Sequence, residues 1–249
     1  MNGEVNGKFA HNPEPLPQHL GQLSAAVVSN KADIGIAVDP DVDRLVLVCE
    51  DGSMFGEEYT LVAVADYVLS KRKGNTVSNL SSTKALKDIT EKHNGEYFPA
   101  AVGEVNVVAK MKEVNAVIGG EGNGGIIVPD FHYGRDALIG IALLLTQLAQ
   151  SGKSLKQLRN SYPDYFISKN KIEMNQEVDL GGIFEKLKIK YKSNPLNSID
   201  GLRIEFDNDW VHLRASNTEP IIRIIAESNF ETTANNIATK LMKDIQEFI

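Results

Sequence analysis

Short β-branched runs recur along the chain, each followed by a longer stretch with helical spacing, and this alternation restricts the fold more than any other feature. "DIGIAVD" and "RLVLVCE" are strand-like and flank an acidic loop, with "EDGSMFG" as the turn behind them. The next helix, "GEEYTLVAVADYVLSKR", is acidic at its start and basic at its end, as the helix dipole favours. Upstream, the apolar positions Leu20, Leu23 and Val27 fit one face of a helix. A second cycle gives a strand over 76–80, a helix near "STKALKDITEKHNG", a short strand over 96–101, the helix "VNVVAKMKEVN" and the strand "AVIGG". "IIVPDFHYG" and the long apolar helix "RDALIGIALLLTQLAQSG", closed by Gly152, complete it. Repeated strand–helix units of this kind build α/β layers on a largely parallel sheet.

After "SYPDYF" the pattern changes. "ISKNKIEMN", "LRIEFDNDWVHLRA" and "PIIRIIAES" alternate as strands, with helices at "LGGIFEKLKIKYK" and "FETTANNIATKLMKDIQEFI", which predicts a smaller α+β unit with an antiparallel sheet. The expected boundaries fall near residues 73 and 167.

Composition narrows the function. Hydrophobic residues make up 42% of the 249 and charged residues 24%, an ordinary globular balance. The net charge of −7 argues against nucleic acid as a partner, because phosphate backbones are met by basic surfaces. No window approaches the roughly 20 apolar residues of a membrane span, and the polar opening lacks the features of a secretory leader. The single cysteine, Cys49, reads as a small buried strand residue and suits a reducing compartment, so a cytoplasmic location is expected.

Three loops carry chemistry. "DPDVDRL" places Asp39, Asp41 and Asp43 at alternate positions and Arg44 directly behind them. Crowded carboxylates of this sort suit a hard cation such as Mg²⁺ or Ca²⁺ rather than zinc. An EF-hand is excluded, since no glycine follows the third aspartate and strands flank the loop. The competing reading is a solvated aspartate-rich turn. "GGEGNGG" displays one carboxylate, Glu121, and one amide, Asn123, a pair suited to sugar hydroxyls. It is followed by strand-like "IIVP" rather than a helix, which disfavours a dinucleotide fingerprint, and the plain alternative is a tight turn. "WVHLRASNTEPIIRIIAES" gathers Arg214, Ser216, Asn217, Thr218 and Arg223 around a turn able to cradle an anion, or else forms an ordinary hairpin with two surface arginines.

In this order the three loops resemble those of the α-D-phosphohexomutase family: phosphomannomutase, phosphoglucomutase and phosphoglucosamine mutase. "DPDVDR" resembles its metal loop, "GGEGNGG" its sugar loop and "RASNTEP" its phosphate loop, while "VGEVNV" and "YGRDALIGIALLL" match further segments. The resemblance implies a partial second domain over 1–73, a third over 74–167 and a C-terminal domain over 168–249. The implied fold is therefore two mixed α/β three-layer domains, the first incomplete, followed by a small α+β domain. It also implies Mg²⁺ on Asp39, Asp41 and Asp43, with Arg44 facing the transferred phosphoryl group. Glu121 and Asn123 would hold sugar hydroxyls, and Arg214, Ser216, Asn217, Thr218 and Arg223 the non-reacting phosphate. The implied reaction interconverts hexose 6-phosphate and hexose 1-phosphate through a hexose 1,6-bisphosphate and an enzyme phosphoserine. Two departures stand out. Where the family often carries a histidine this chain has Gly125, and His132 is the candidate substitute. The family's serine loop has no match, so the catalytic partner is expected on an N-terminal segment outside these residues. A non-catalytic sugar-phosphate or metal-binding module is the alternative.

Overall fold

A computed structural model describes residues 1, 4, 6–174, 179–216 and 220–248. Its contacts divide the chain into two compact units, Met1–Pro163 and Asp164–Ile249.

In the first unit a turn of 3-10 helix, Pro17–His19, leads into helix α1, Gly21–Asn30. Strands β1, Ile34–Val38, and β2, Leu45–Cys49, then pair antiparallel from Ile34↔Cys49 to Val38↔Leu45. The hairpin's connection is therefore the acidic loop. Every residue of β2 is buried, as its uninterrupted apolar run requires. Cys49 is a free buried thiol, and burial pushes its pKa up.

Helix α2, Glu57–Lys71, precedes the second sheet: β3, Asn75–Asn79; α3, Ala85–Lys92; β4, Tyr97–Ala100; α4, Glu104–Glu113; β5, Ala116–Glu121; and β6, Gly125–Ile127. The strands run in the order β4-β3-β5-β6, parallel for the first three, with β6 turned back antiparallel on β5. Helices α5, Ala137–Ser151, and α6, Leu155–Arg159, close the unit. Seven consecutive residues of α2, Tyr59 to Ala65, are buried, because the helix meets β2 as well as β5, β6, α3 and α5. No break in contacts follows it near residue 73. Gly152 ends α5 in the left-handed conformation (φ 65°), its N–H bonded to the Leu148 carbonyl.

The second unit is a five-stranded antiparallel sheet in the order β7-β11-β10-β9-β8. Its strands are β7, Phe166–Glu173; β8, Leu196–Asn197; β9, Leu202–Glu205; β10, Trp210–Ala215; and β11, Ile221–Ser228. One face, with Ile204, Val211, Ile222 and Ile224, packs on Ile183 and Leu187 of α7, Leu180–Lys190, and on Leu241 and Ile245 of α8, Glu231–Gln246. Each such aliphatic side chain contributes roughly 1.5–3 kcal/mol on burial. Among the described residues no helix is long and apolar enough to cross a membrane.

Candidate functional site

The last pair of the first hairpin, Val38↔Leu45, leaves residues 39–44 to turn the chain. Asp39 organises this loop: its Oδ1 accepts the N–H groups of Asp43 and Arg44, each at 3.0 Å. Val42 sits at φ 60°, a conformation that strains a β-branched residue. Its carbonyl accepts the N–H of Ala137 at 3.0 Å, so the strained turn is tied to the start of α5. The result brings oxygens of Asp39, Asp41 and Asp43 within 4.8 Å of one another, with Asp39 buried, Asp43 half-buried and Asp41 exposed. Burial raises the Asp39 pKa, but the two amide donors and the Arg44 guanidinium outweigh it and hold the carboxyl below its usual range. Asp43 goes the other way, to about 6, because burial, the Asp39 carboxyl and the Asp41 charge together exceed the pull of Arg135. Its Oδ1 is buried and accepts no hydrogen bond.

Arg44 lies across this cluster, with Nε 3.1 Å from Asp39 Oδ2 and 3.6 Å from Asp43 Oδ1. Its Nη1 donates to Glu14 Oε1 at 2.9 Å, an ion pair that no local sequence pattern announces.

The glycine-rich loop packs directly against the acidic one. Glu121 and Gly125 pair at the end of a tight hairpin, and Gly125 also bridges to Arg44. The Gly124 carbonyl accepts the Leu45 N–H at 3.0 Å. This approach demands glycine: Gly124 has φ 86°, and a Cβ there would stand 2.4 Å from the Leu45 carbonyl oxygen. Glu121 is buried, with Oε1 accepting from Asn79 Nδ2 at 2.8 Å and from the Gly103 N–H at 3.1 Å, and Oε2 accepting from Arg135 Nη1 at 2.9 Å. Asn123 Oδ1 accepts the Gly125 N–H at 3.1 Å, so its carbonyl serves the turn itself.

Arg135 lies in the segment "YGRDALIGIALLL", where the sequence gives it no role, yet it joins the two loops. Its Nη2 donates to Asp43 Oδ2, its Nη1 to Glu121, and its Nε stands 3.5 Å from Glu104 Oε2. Glu104 Oε1 accepts its backbone N–H at 2.9 Å. His132 is not part of this network: its exposed ring pairs with Asp136 at 3.0 Å. Asp136 is the N-cap of α5, accepting from the N–H groups of Leu138 and Ile139.

In the second unit the register sets Lys171, Arg223 and Arg214 side by side on β7, β11 and β10. Three cations in a row across adjacent strands repel one another, a cost that a bound anion would offset. Carboxylates offset part of it: Asp200 Oδ2 lies 2.9 Å from Arg214 Nε and Glu173 Oε1 3.6 Å from Lys171 Nζ. An open groove of about 280 Å³ runs along this face, lined by Lys169, Asn170, Lys171, Ile221, Arg223 and Ile225. The Ser216 N–H donates to the Ile221 carbonyl at 2.9 Å. Asn217 and Thr218 lie outside the described residues.

Residues 1–52 match the description "Phosphoglucomutase/phosphomannomutase, alpha/beta/alpha domain II", residues 56–165 match domain III, and residues 171–243 match the C-terminal domain of the same family. The chain belongs to the phosphoglucomutase/phosphomannomutase family. A phosphoglucomutase/phosphomannomutase of Thermococcus kodakarensis is 35% identical over 252 residues, covering 99% of this chain and 55% of the relative. A probable phosphoglucosamine mutase of Methanopyrus kandleri is 30% identical, covering 100% and 56%. The crystal structure of a phosphoglucomutase/phosphomannomutase family protein from Burkholderia thailandensis superposes with a TM-score of 0.83 at 28% identity, over 95% of this chain and 52% of that one. The chain thus spans about half the length of the curated relatives it matches. The family's domain II match stops at 52 and its domain III match starts at 56, so α2 falls with the sheet after it.

Proposed function

We propose that this family member carries the metal, sugar and distal-phosphate sites of a phosphohexomutase, which interconverts hexose 6-phosphates and hexose 1-phosphates through a hexose 1,6-bisphosphate. The observation that carries the reading is the Asp39–Asp41–Asp43 cluster: three carboxylates within 4.8 Å, one with a buried oxygen that accepts no hydrogen bond, packed against a glycine hairpin. An all-oxygen donor set with an unsatisfied buried acceptor fits Mg²⁺. Bound there, Mg²⁺ would neutralise charge on a phosphoryl group in transfer.

The protein's own residues supply the rest. Arg44 adds a second positive charge beside the cluster and is held there by Asp39 and Glu14. Glu121 is fixed by three donors, two of them on Oε1, and keeps acceptor capacity on Oε2 for a sugar hydroxyl, with the Asn123 amide beside it. Lys171, Arg223 and Arg214, with Ser216, hold the phosphate that does not react. The phosphoserine is supplied by a segment outside these 249 residues, so the chain alone binds without turning over. The substrate is a hexose phosphate of the glucosamine, mannose or glucose series, met in the cytoplasm.

The test is ³¹P NMR of glucosamine 6-phosphate, mannose 6-phosphate and glucose 6-phosphate, each incubated with the full-length protein, Mg²⁺ and a trace of the matching 1,6-bisphosphate. Growth of a 1-phosphate resonance that disappears in Asp43→Asn is expected. Binding without conversion of any of the three would replace the enzyme by a sugar-phosphate-binding module.

A further inference from the structure

We infer that Arg135 is a positioning residue that presents Asp43 to the metal ion and locks that carboxylate to Glu121 of the sugar hairpin. The inference rests on Mg²⁺ binding at Asp39, Asp41 and Asp43, and it concerns a residue beyond that set.

The guanidinium is placed as an outer-sphere partner of a ligand. It engages Asp43 through Oδ2 and leaves Oδ1, buried, without a hydrogen bond and with only the Arg44 Nε 3.6 Å away, as the atom offered to an ion. With its other arm it holds Glu121 Oε2 at 2.9 Å. The fork is itself fixed, since Glu104 accepts the Arg135 backbone N–H at 2.9 Å and lies 3.5 Å from Nε. Gly103, next to Glu104, donates to the other oxygen of Glu121 and closes the ring of contacts. The stem has its own requirement: a Cβ on Gly125 would stand 2.4 Å from Arg135 Cδ, so the hairpin stays bare where the arginine crosses it. A planar fork spanning two carboxylates in fixed geometry is a task for arginine and not for lysine.

A competing account makes Arg135 a rival cation that occupies Asp43 until the metal arrives. The two accounts predict opposite signs. Loss of a rival would tighten Mg²⁺ binding, whereas loss of a positioning partner weakens it, typically 10- to 100-fold. Because Asp43 and Glu121 share one guanidinium, ion binding also stiffens the sugar hairpin, and that coupling is reciprocal.

The experiment is isothermal titration of Mg²⁺ into the wild-type chain, Arg135→Gln and Arg135→Lys, with hydrogen exchange of the 122–127 amides followed with and without Mg²⁺. Arg135→Gln is expected to weaken Mg²⁺ about 10- to 100-fold and to abolish the Mg²⁺-dependent protection of the hairpin, and Arg135→Lys to recover only part of each. Unchanged or tighter Mg²⁺ binding in Arg135→Gln, with wild-type binding intact, overturns the positioning role and leaves the metal site standing. Failure of the wild type to bind Mg²⁺ overturns both. If Arg135→Gln does not fold, Gly125→Ala displaces the arginine stem while retaining its charge; weaker Mg²⁺ binding supports the role, and wild-type affinity refutes it.

Discussion

Replacing Glu121 by glutamine keeps the side chain's volume and removes its charge, and the contacts of the carboxylate set the cost. It accepts from three donors, Asn79 Nδ2, the Gly103 N–H and Arg135 Nη1, and is buried. A glutamine can satisfy either the Asn79 and Gly103 pair or Arg135, but its NH₂ then faces a donor on the remaining side. A hydrogen bond to a charged partner contributes about 1.5–3 kcal/mol, and a buried donor left without an acceptor adds a desolvation cost of about 1–3 kcal/mol. Arg135 retains Asp43, which limits the loss, so about 3 kcal/mol is expected. With a urea m-value of about 2 kcal/mol/M, the unfolding midpoint followed by far-UV circular dichroism should fall by roughly 1.5 M. The same substitution made in Arg135→Gln should cost less than half as much, since the lost partner is already gone. A midpoint shift below about 0.3 M, or an equal cost in both backgrounds, would refute the claim that Glu121 is held by this network.

Other outcomes rest on single contacts. Gly124→Ala forces a side chain into φ 86° and to within 2.4 Å of the Leu45 carbonyl, so thermal melting should report a loss of at least about 2 kcal/mol. Arg223→Ala removes the central cation of the Lys171–Arg223–Arg214 row, and hexose phosphate affinity by calorimetry should fall about 10- to 100-fold, while Mg²⁺ affinity stays as it was. The pKa of His212 is depressed, chiefly by burial and also by the charges of Arg203 and Arg214, while its ring donates to the Asp200 carbonyl at 2.6 Å. Below about pH 6.5 the unfolded chain binds a proton that the native state refuses, so this group lowers stability as pH drops through that value and contributes no slope above it. His212→Gln should remove that contribution from the pH dependence of unfolding; an identical slope in both proteins would contradict it.

Much of this was legible because the relevant information is local. Strand–helix alternation survives in the sequence because β2 is apolar throughout and α2 is buried along seven consecutive positions. The acidic and glycine loops each concentrate their polar residues within a few positions, and so does the arginine turn of the second unit. The role of Arg135 was invisible for the opposite reason: its partners Asp43, Glu104 and Glu121 lie 92, 31 and 14 residues away. The left-handed Val42 could not be read either, since valine disfavours that conformation, and it is held there by a carbonyl bond from the distant Ala137 N–H. Helix α2 shows why a boundary near residue 73 is hard to read: its buried stretch, Tyr59 to Ala65, meets the first hairpin and the next sheet alike. Helix α6 did carry a signal, the Ser154/Gln157 capping box, and it is short enough to have passed as a loop.

The most direct test of the central claim is a crystal of this chain soaked in Mn²⁺, a visible substitute for Mg²⁺, with anomalous data collected at the metal edge. The account predicts one strong peak enclosed by Asp39, Asp41 and Asp43, at roughly 2.0–2.2 Å from their oxygens, with Arg135 still on Asp43 Oδ2. A saturated soak that leaves the three carboxylates without a peak, while Mn²⁺ binds elsewhere or not at all, would contradict it.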